Sequence, residues 1–203
     1  MLRLKLLEAS LVAAVATFAA SYGYAAEFSA RLNGFNELGS LPSATAFPTG
    51  AVLSDGTGTV SLRLNQKTHT IDYTLTYSNV GTTPPKTGKV SQAHIHFGKS
   101  HVSGGVLVFF CTNLGNGPAG TPGCPDHSGT VSGTWTKDSV QAIAGQNVVA
   151  RDFGALVDAI ISNTAYANIH TTSKTTPDTA FPAGEIRGQV RSEDREHREH
   201  RED

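Results

Sequence analysis

Two short stretches of this 203-residue chain carry the residues best suited to chemistry, Gln92-Ala93-His94-Ile95-His96-Phe97-Gly98 and Ala165-Tyr166-Ala167-Asn168-Ile169-His170-Thr171. Each reads as a strand, in which successive side chains point to opposite faces. Ala93, Ile95 and Phe97 then share one face and His94 and His96 the other. Ala167 and Ile169 likewise oppose Tyr166, Asn168 and His170. If the strands are neighbours, three imidazoles gather on their polar side, away from the core.

Neutral imidazole ligates copper and zinc. A pair at i and i+2 on a strand, completed by a third from an adjacent strand, makes a three-nitrogen set. A closed structural site needs a fourth protein ligand, whereas an open position admits water or substrate. His101 is the nearest further candidate in sequence, and Asp126 and His127 are remoter. Copper is the preferred ion, because affinity in the divalent series peaks there, and zinc is the alternative. Ordinary histidines titrate near 6.5, so affinity is expected to fall below about pH 6. The competing reading is a surface patch in which the same histidines hydrogen-bond with Tyr166, Asn168 and Thr171. Glu185 could accept a hydrogen bond from His170, orienting it, or pair with Arg187.

The elements that must position these residues are mainly of period two. Val60, Leu62 and Leu64 alternate with polar neighbours; after a turn at Gln66-Lys67-Thr68, so do Ile71, Tyr73, Leu75 and Tyr77. That pattern predicts an antiparallel hairpin with one buried face. Further strands are expected over Glu27 to Leu32, Val90 to Phe97, Gly105 to Cys111, Gly129 to Thr136, Ala165 to Thr171 and Glu185 to Arg191. Phe153, Leu156, Val157, Ile160 and Ile161 recur at helical spacing, with Asp152 at the N-cap position and Asn163 at the stop. One short amphipathic helix over about 152–162 follows. The fold class is all-β, an antiparallel sandwich or barrel with that single helix.

The ends of the chain speak to compartment. Arg3 and Lys5, an apolar Leu11 to Ala20 and the small-x-small pattern Gly23-Tyr24-Ala25 have the form of a signal peptide over 1–25, cut after Ala25 or Ala26. The apolar run is well short of the ~20 residues of a membrane span, so the mature chain is expected to have no integral span and to be secreted or periplasmic. In an oxidising compartment Cys111 and Cys124, the only cysteines, are expected to form a disulfide. Residues 26–191 form one domain, and 192–203 a charged, disordered tail. His197 and His200 in that tail are three apart, a common spacing.

The chain has 16 Lys and Arg against 17 Asp and Glu. Without the signal (two basic, one acidic) and the tail (three basic, six acidic), the body holds 11 basic and 10 acidic residues. So even a balance offers no footprint for nucleic acid. No nucleophile–base pair, paired carboxylates or phosphate loop is evident, and no residue is assigned a catalytic role.

The chain resembles the CHRD family, named for the domain repeated in chordin. The resemblance rests on Ala30-Arg31-Leu32-Asn33-Gly34, Gly56-Thr57-Gly58-Thr59-Val60-Ser61-Leu62, Tyr73 to Val80, Ala93-His94-Ile95-His96, Ala167-Asn168-Ile169-His170-Thr171 and Pro182-Ala183-Gly184-Glu185-Ile186-Arg187-Gly188-Gln189. It implies an immunoglobulin-like β-sandwich over roughly Phe28 to Val190. The cysteine-bracketed loop after Phe110 departs from it as a local elaboration. The His-x-His strand is also similar to the one supplying two copper ligands in copper–zinc superoxide dismutases, which would make His94, His96 and His170 ligands and Arg187 a neighbour. No bridging histidine is evident, and Asp126-His127 is a poor substitute.

Three functional classes follow. The first is an exported module that binds a protein or envelope ligand and carries a His metal site, with Glu185, Arg187, Asn168 and Tyr166 around the ligands. The second is a superoxide-dismutase-like copper enzyme. The third is a structural envelope protein without metal, whose acidic tail meets a cationic partner.

Overall fold

The computed structural model describes residues 26–38, 50–173 and 180–193. The expected signal segment, the tail beyond 193 and its His197 and His200 lie outside the described residues.

The alternating segments become strands because each has one face to bury. The strands β1 (Ala26–Asn33), β2 (Thr57–Asn65) and β3 (Thr70–Ser78) pair in unbroken antiparallel register, Leu62 opposite both Phe28 and Tyr73. From Val60 in β2 and Ile71 in β3 onward, every second residue is buried and those between are exposed. Asn65 closes the hairpin turn, its side-chain oxygen accepting from the Lys67 and Thr68 amides. β4 (Lys89–Phe97), β5 (Gly105–Thr112), β6 (Gly129–Trp135), β7 (Ala165–Thr172), β8 (Ile186–Gln189) and β9 (Arg191–Ser192) complete the set. The order is β5-β4-β7-β8-β1-β2-β3-β6, with β9 beside β1 and every ladder antiparallel.

This one sheet curls until its two ends nearly meet. Where β6 approaches β5, side chains replace the missing ladder: Trp135 Nε1 donates to the Phe109 carbonyl at 2.8 Å and Tyr73 Oη to that of Phe110 at 3.1 Å. The Tyr73 and Trp135 rings stack at 4.4 Å, and both pack on Phe110. The expected all-β fold takes this barrel-like form. Leu62, Leu75, Ile95, Phe110, Ile169 and Ile186 fill its interior.

The single helix, α1 (Phe153–Ile161), starts where Asp152 accepts from the Ala155 amide and stops at Ser162, before a left-handed Asn163. Leu156, Ala159 and Ile160 are its buried residues, whereas Ile161, expected in the apolar stripe, is exposed. α1 leads directly into β7.

Cys111 and Cys124 are bonded, closing the expected loop across a separation of 13 residues. Replacing both by alanine should lower unfolding stability by roughly 3 kcal/mol, the chain-entropy cost of a loop of this length. A denaturant midpoint unchanged from that of the native protein would show that the loop needs no closure.

Candidate metal centre

β4 and β7 are indeed neighbours, with His94 opposite Asn168 and His96 opposite Tyr166. An extra β4 residue between the partners of Thr171 and His170 sets His170 opposite Gln92, diagonal to His94, within reach of a long side chain. β5, on the other side of β4, has irregular register on either side of the Ile95 step, the kind of bulge that re-aims side chains. The result is a cluster. The ring centroids of His94, His96 and His170 lie 5.0 to 5.7 Å apart, and one ligand atom from each ring lies within 4.8 Å of the others. Among the described residues no fourth His, Cys, Asp or Glu joins them.

The polar parity read from the sequence holds, but the expected surface position does not. The three histidines are 2%, 7% and 6% exposed. Two loops fold over this outer face. His96 Nδ1 donates to the carbonyl of Gly104 at 3.0 Å, and His170 Nδ1 to that of Pro182 at 3.0 Å. Gly104 is required where it stands: a Cβ there would lie 1.7 Å from the Phe97 carbonyl oxygen.

These two contacts dictate the tautomers, because a carbonyl only accepts. With their protons on Nδ1, His96 and His170 carry lone pairs on Nε2. His94 Nδ1, 3.2 Å from His170 Nε2, must then be the donor, so His94 Nε2 also carries a lone pair. The Nε2 atoms of His94 and His96 are buried and have no hydrogen-bond partner. Buried acceptors are rarely left so. A cation would satisfy them.

Electrostatics agree. Burial pushes the pKa of His94 down to about 2, helped by His170 and His96; that of His96 to about 3, helped by His170; and that of His170 to about 4. All three are neutral at pH 7. The folded site would thus protonate well below the pH 6 expected of ordinary imidazoles.

The surrounding residues play parts that their types alone did not reveal. Tyr166 lies on the strand between His96 and Arg187. Its ring is parallel to that of His96 at 4.8 Å, and the Arg187 guanidinium sits 3.4 Å over it. Arg187 therefore faces Tyr166, not the histidines, and its Nη2 donates to the Lys99 and Val102 carbonyls. Together with Tyr166 Oη, which accepts from the Gly104 amide at 3.1 Å, it pins the 98–104 loop over His96. Asn168 donates to Glu37 and to the Ile186 carbonyl.

Glu185 is buried but is bound neither to His170 nor to Arg187. Its carboxylate accepts from Ser54 Oγ at 2.7 Å, the Gly81 amide at 2.8 Å and Thr171 Oγ1 at 2.9 Å, joining three segments. His101 is exposed, Asp126 is paired with Lys89, and His127 Nδ1 donates to the Val80 carbonyl. None is a fourth ligand. Glu37, its carboxyl raised chiefly by burial, was not foreseen, and neither were the Gly104 and Pro182 carbonyls. Nothing in their sequence neighbourhoods marks them.

The CHRD domain model matches residues 28–190, and the chain belongs to that family. No curated protein and no solved structure matches it.

Two outcomes follow. Each histidine titrates lower folded than unfolded, so unfolding takes up protons below pH 6.5. Stability is full above that pH and falls by up to about 1.4 kcal/mol per pH unit per histidine as the pH drops toward 4. Glu37, whose carboxyl is raised, opposes this only in part. Denaturant midpoints of metal-free protein should decline from pH 7 to pH 5, less steeply in His96→Gln; equal midpoints would contradict the neutral buried triad. Glu185→Ala strands three donors and should cost about 3 kcal/mol in the same assay. A loss under 1 kcal/mol would show that the carboxylate is no brace.

Proposed function

We propose that this CHRD-domain protein is an exported binding module in which His94, His96 and His170 hold one transition-metal ion, copper in preference to zinc. The observation that carries the reading is the pair of buried, unpartnered Nε2 atoms on His94 and His96, in a cluster with His170 that brings one ligand atom from each ring within 4.8 Å of the others. Imidazole-only donor sets suit both ions, and copper binds more tightly in the divalent series. Burial beneath two loops favours an ion that is retained and braces β4 against β7 over one that turns over substrate. It is therefore the binding reading, and not superoxide chemistry, that the geometry supports best.

Export is supported by two independent features. One is the signal-like start of the sequence. The other is the closed Cys111–Cys124 bond, which persists in oxidising compartments. Among the described residues no helix is long and apolar enough to cross a membrane. The partner of the module is a protein or an envelope component.

Elemental analysis of protein purified from its native compartment tests the site. One equivalent of copper or zinc is expected, and loss of that metal in His94→Ala and His170→Ala variants whose circular dichroism matches the parent. Metal at 100 times its Kd should stabilise the parent by about 2.7 kcal/mol. Metal-free protein whose melting temperature ignores added copper and zinc at neutral pH would leave the structural, metal-free reading in its place.

A further inference from the structure

The outer face that carries the histidines continues across β8 to β1, and there its chemistry changes sign. On β1 the buried Phe28, Ala30 and Leu32 alternate with Ser29 and Arg31, which point outward. On β8 and β9 the outward parity falls to Arg187, Gln189 and Arg191. Asn33 stands opposite Arg187 and Ser29 opposite Arg191. Arg31 is thus set between two arginines of the neighbouring chain segment. The 98–104 loop supplies the remaining wall through Ser100 and His101. Together they enclose a cavity of about 260 Å³.

This cavity has three guanidinium groups and an imidazole in its lining and no carboxylate among the described residues that line it. Like charges brought together in a concave site repel one another and concentrate a positive field. The nearby Glu37 acts on Arg187 but is held by Asn168 and the Leu38 amide. Arg187 is fixed from behind by Tyr166 and the Lys99 and Val102 carbonyls. Both of its described side-chain hydrogen bonds run through Nη2, so the rest of its fork can serve the cavity. A planar guanidinium matches carboxylate, sulfate or phosphate with two parallel hydrogen bonds. The volume of about 260 Å³ holds one such group and leaves room for the part of the ligand that bears it.

We propose that Arg31, Arg187, Arg191 and His101 form a binding site for a single oxyanion group, separate from the histidine cluster and sharing with it the 98–104 loop. The site stands whether or not a metal is bound. It would give the module a recognition point for an acidic ligand. Beyond Arg191 the sequence carries Asp194, Glu196, Glu199 and Glu202.

The test titrates the full chain with inorganic sulfate, phosphate and acetate at constant ionic strength, following the amide resonances of Ser100, His101 and Arg191 by NMR. A second full-length chain carrying Glu196→Gln, Glu199→Gln and Glu202→Gln tests whether acidic residues that follow Arg191 in sequence compete with the added anion. Saturable shifts are expected, at least as tight in the tail variant, and about tenfold weaker in Arg31→Gln and in Arg191→Gln. Arg63→Gln, on the same outer face but opposite Glu27 and outside the cavity lining, should match the parent. The three anions identify the source: sulfate or phosphate binding ahead of acetate marks a tetrahedral group, the reverse a carboxylate. Shifts that fail to saturate in both chains, or that persist unchanged in Arg31→Gln and Arg191→Gln, would overturn the proposal.

Discussion

The arrangement depends on three imidazoles being kept neutral inside a polar layer that the sheet alone would leave wet. A β-strand delivers His94 and His96 to the outer face simply by alternation. It does not bury them. Burial comes from two loops whose backbone carbonyls, at Gly104 and Pro182, accept the Nδ1 protons of His96 and His170. Those bonds both cover the rings and choose their tautomers. A buried imidazolium next to two other imidazoles would be costly, so the cluster stays uncharged, with the Nε2 atoms of His94 and His96 buried without a partner and that of His170 accepting from His94 Nδ1. The same physics makes the cluster a candidate ligand set and an acid-sensitive element of the fold.

Holding those loops in place takes a second tier of interactions. Tyr166 stacks on His96, receives the Gly104 amide and lies under Arg187, which ties down the Lys99 and Val102 carbonyls. On the other side Glu185 joins Thr171 to the Ser54 and Gly81 segments, next to the 181–184 turn that presents Pro182. Gly81 has a φ of 74°, and a Cβ there would lie 1.8 Å from the Gly88 carbonyl oxygen, so glycine is what lets its amide reach the carboxylate. The charged residues around the histidines therefore act on the loops and reach the rings only through them.

Local pattern made much of this legible. Period two placed the strands and the polar parity of His94, His96 and His170. The spacing of Leu156 and Ile160 between Asp152 and Asn163 marked the one helix. What pattern could not carry was the cover. Whether His96 is wet or dry depends on Gly104, eight residues on, and whether His170 is depends on Pro182, twelve residues on; both contribute only a backbone oxygen, which no side-chain motif records. Glu37 meets Asn168 across 131 positions. Glu185 was misassigned for a related reason: its expected partners were His170 and Arg187, but its donors are Thr171, the neighbour of His170, and two groups from distant segments, Ser54 and Gly81. Closure of the sheet was equally long-range, resting on Trp135 and Tyr73 reaching carbonyls of β5.

The central claim is about protons, and nitrogen NMR observes them directly. In metal-free protein labelled with ¹⁵N at histidine, long-range correlation spectra at pH 7 should show three neutral rings, with Nδ1 protonated and Nε2 bare in His94, His96 and His170. Added zinc, being diamagnetic, should then move these rings alone and leave those of His69, His101 and His127 where they were. An Nε2-protonated tautomer at His96 or His170, or an imidazolium at any of the three, would contradict the account.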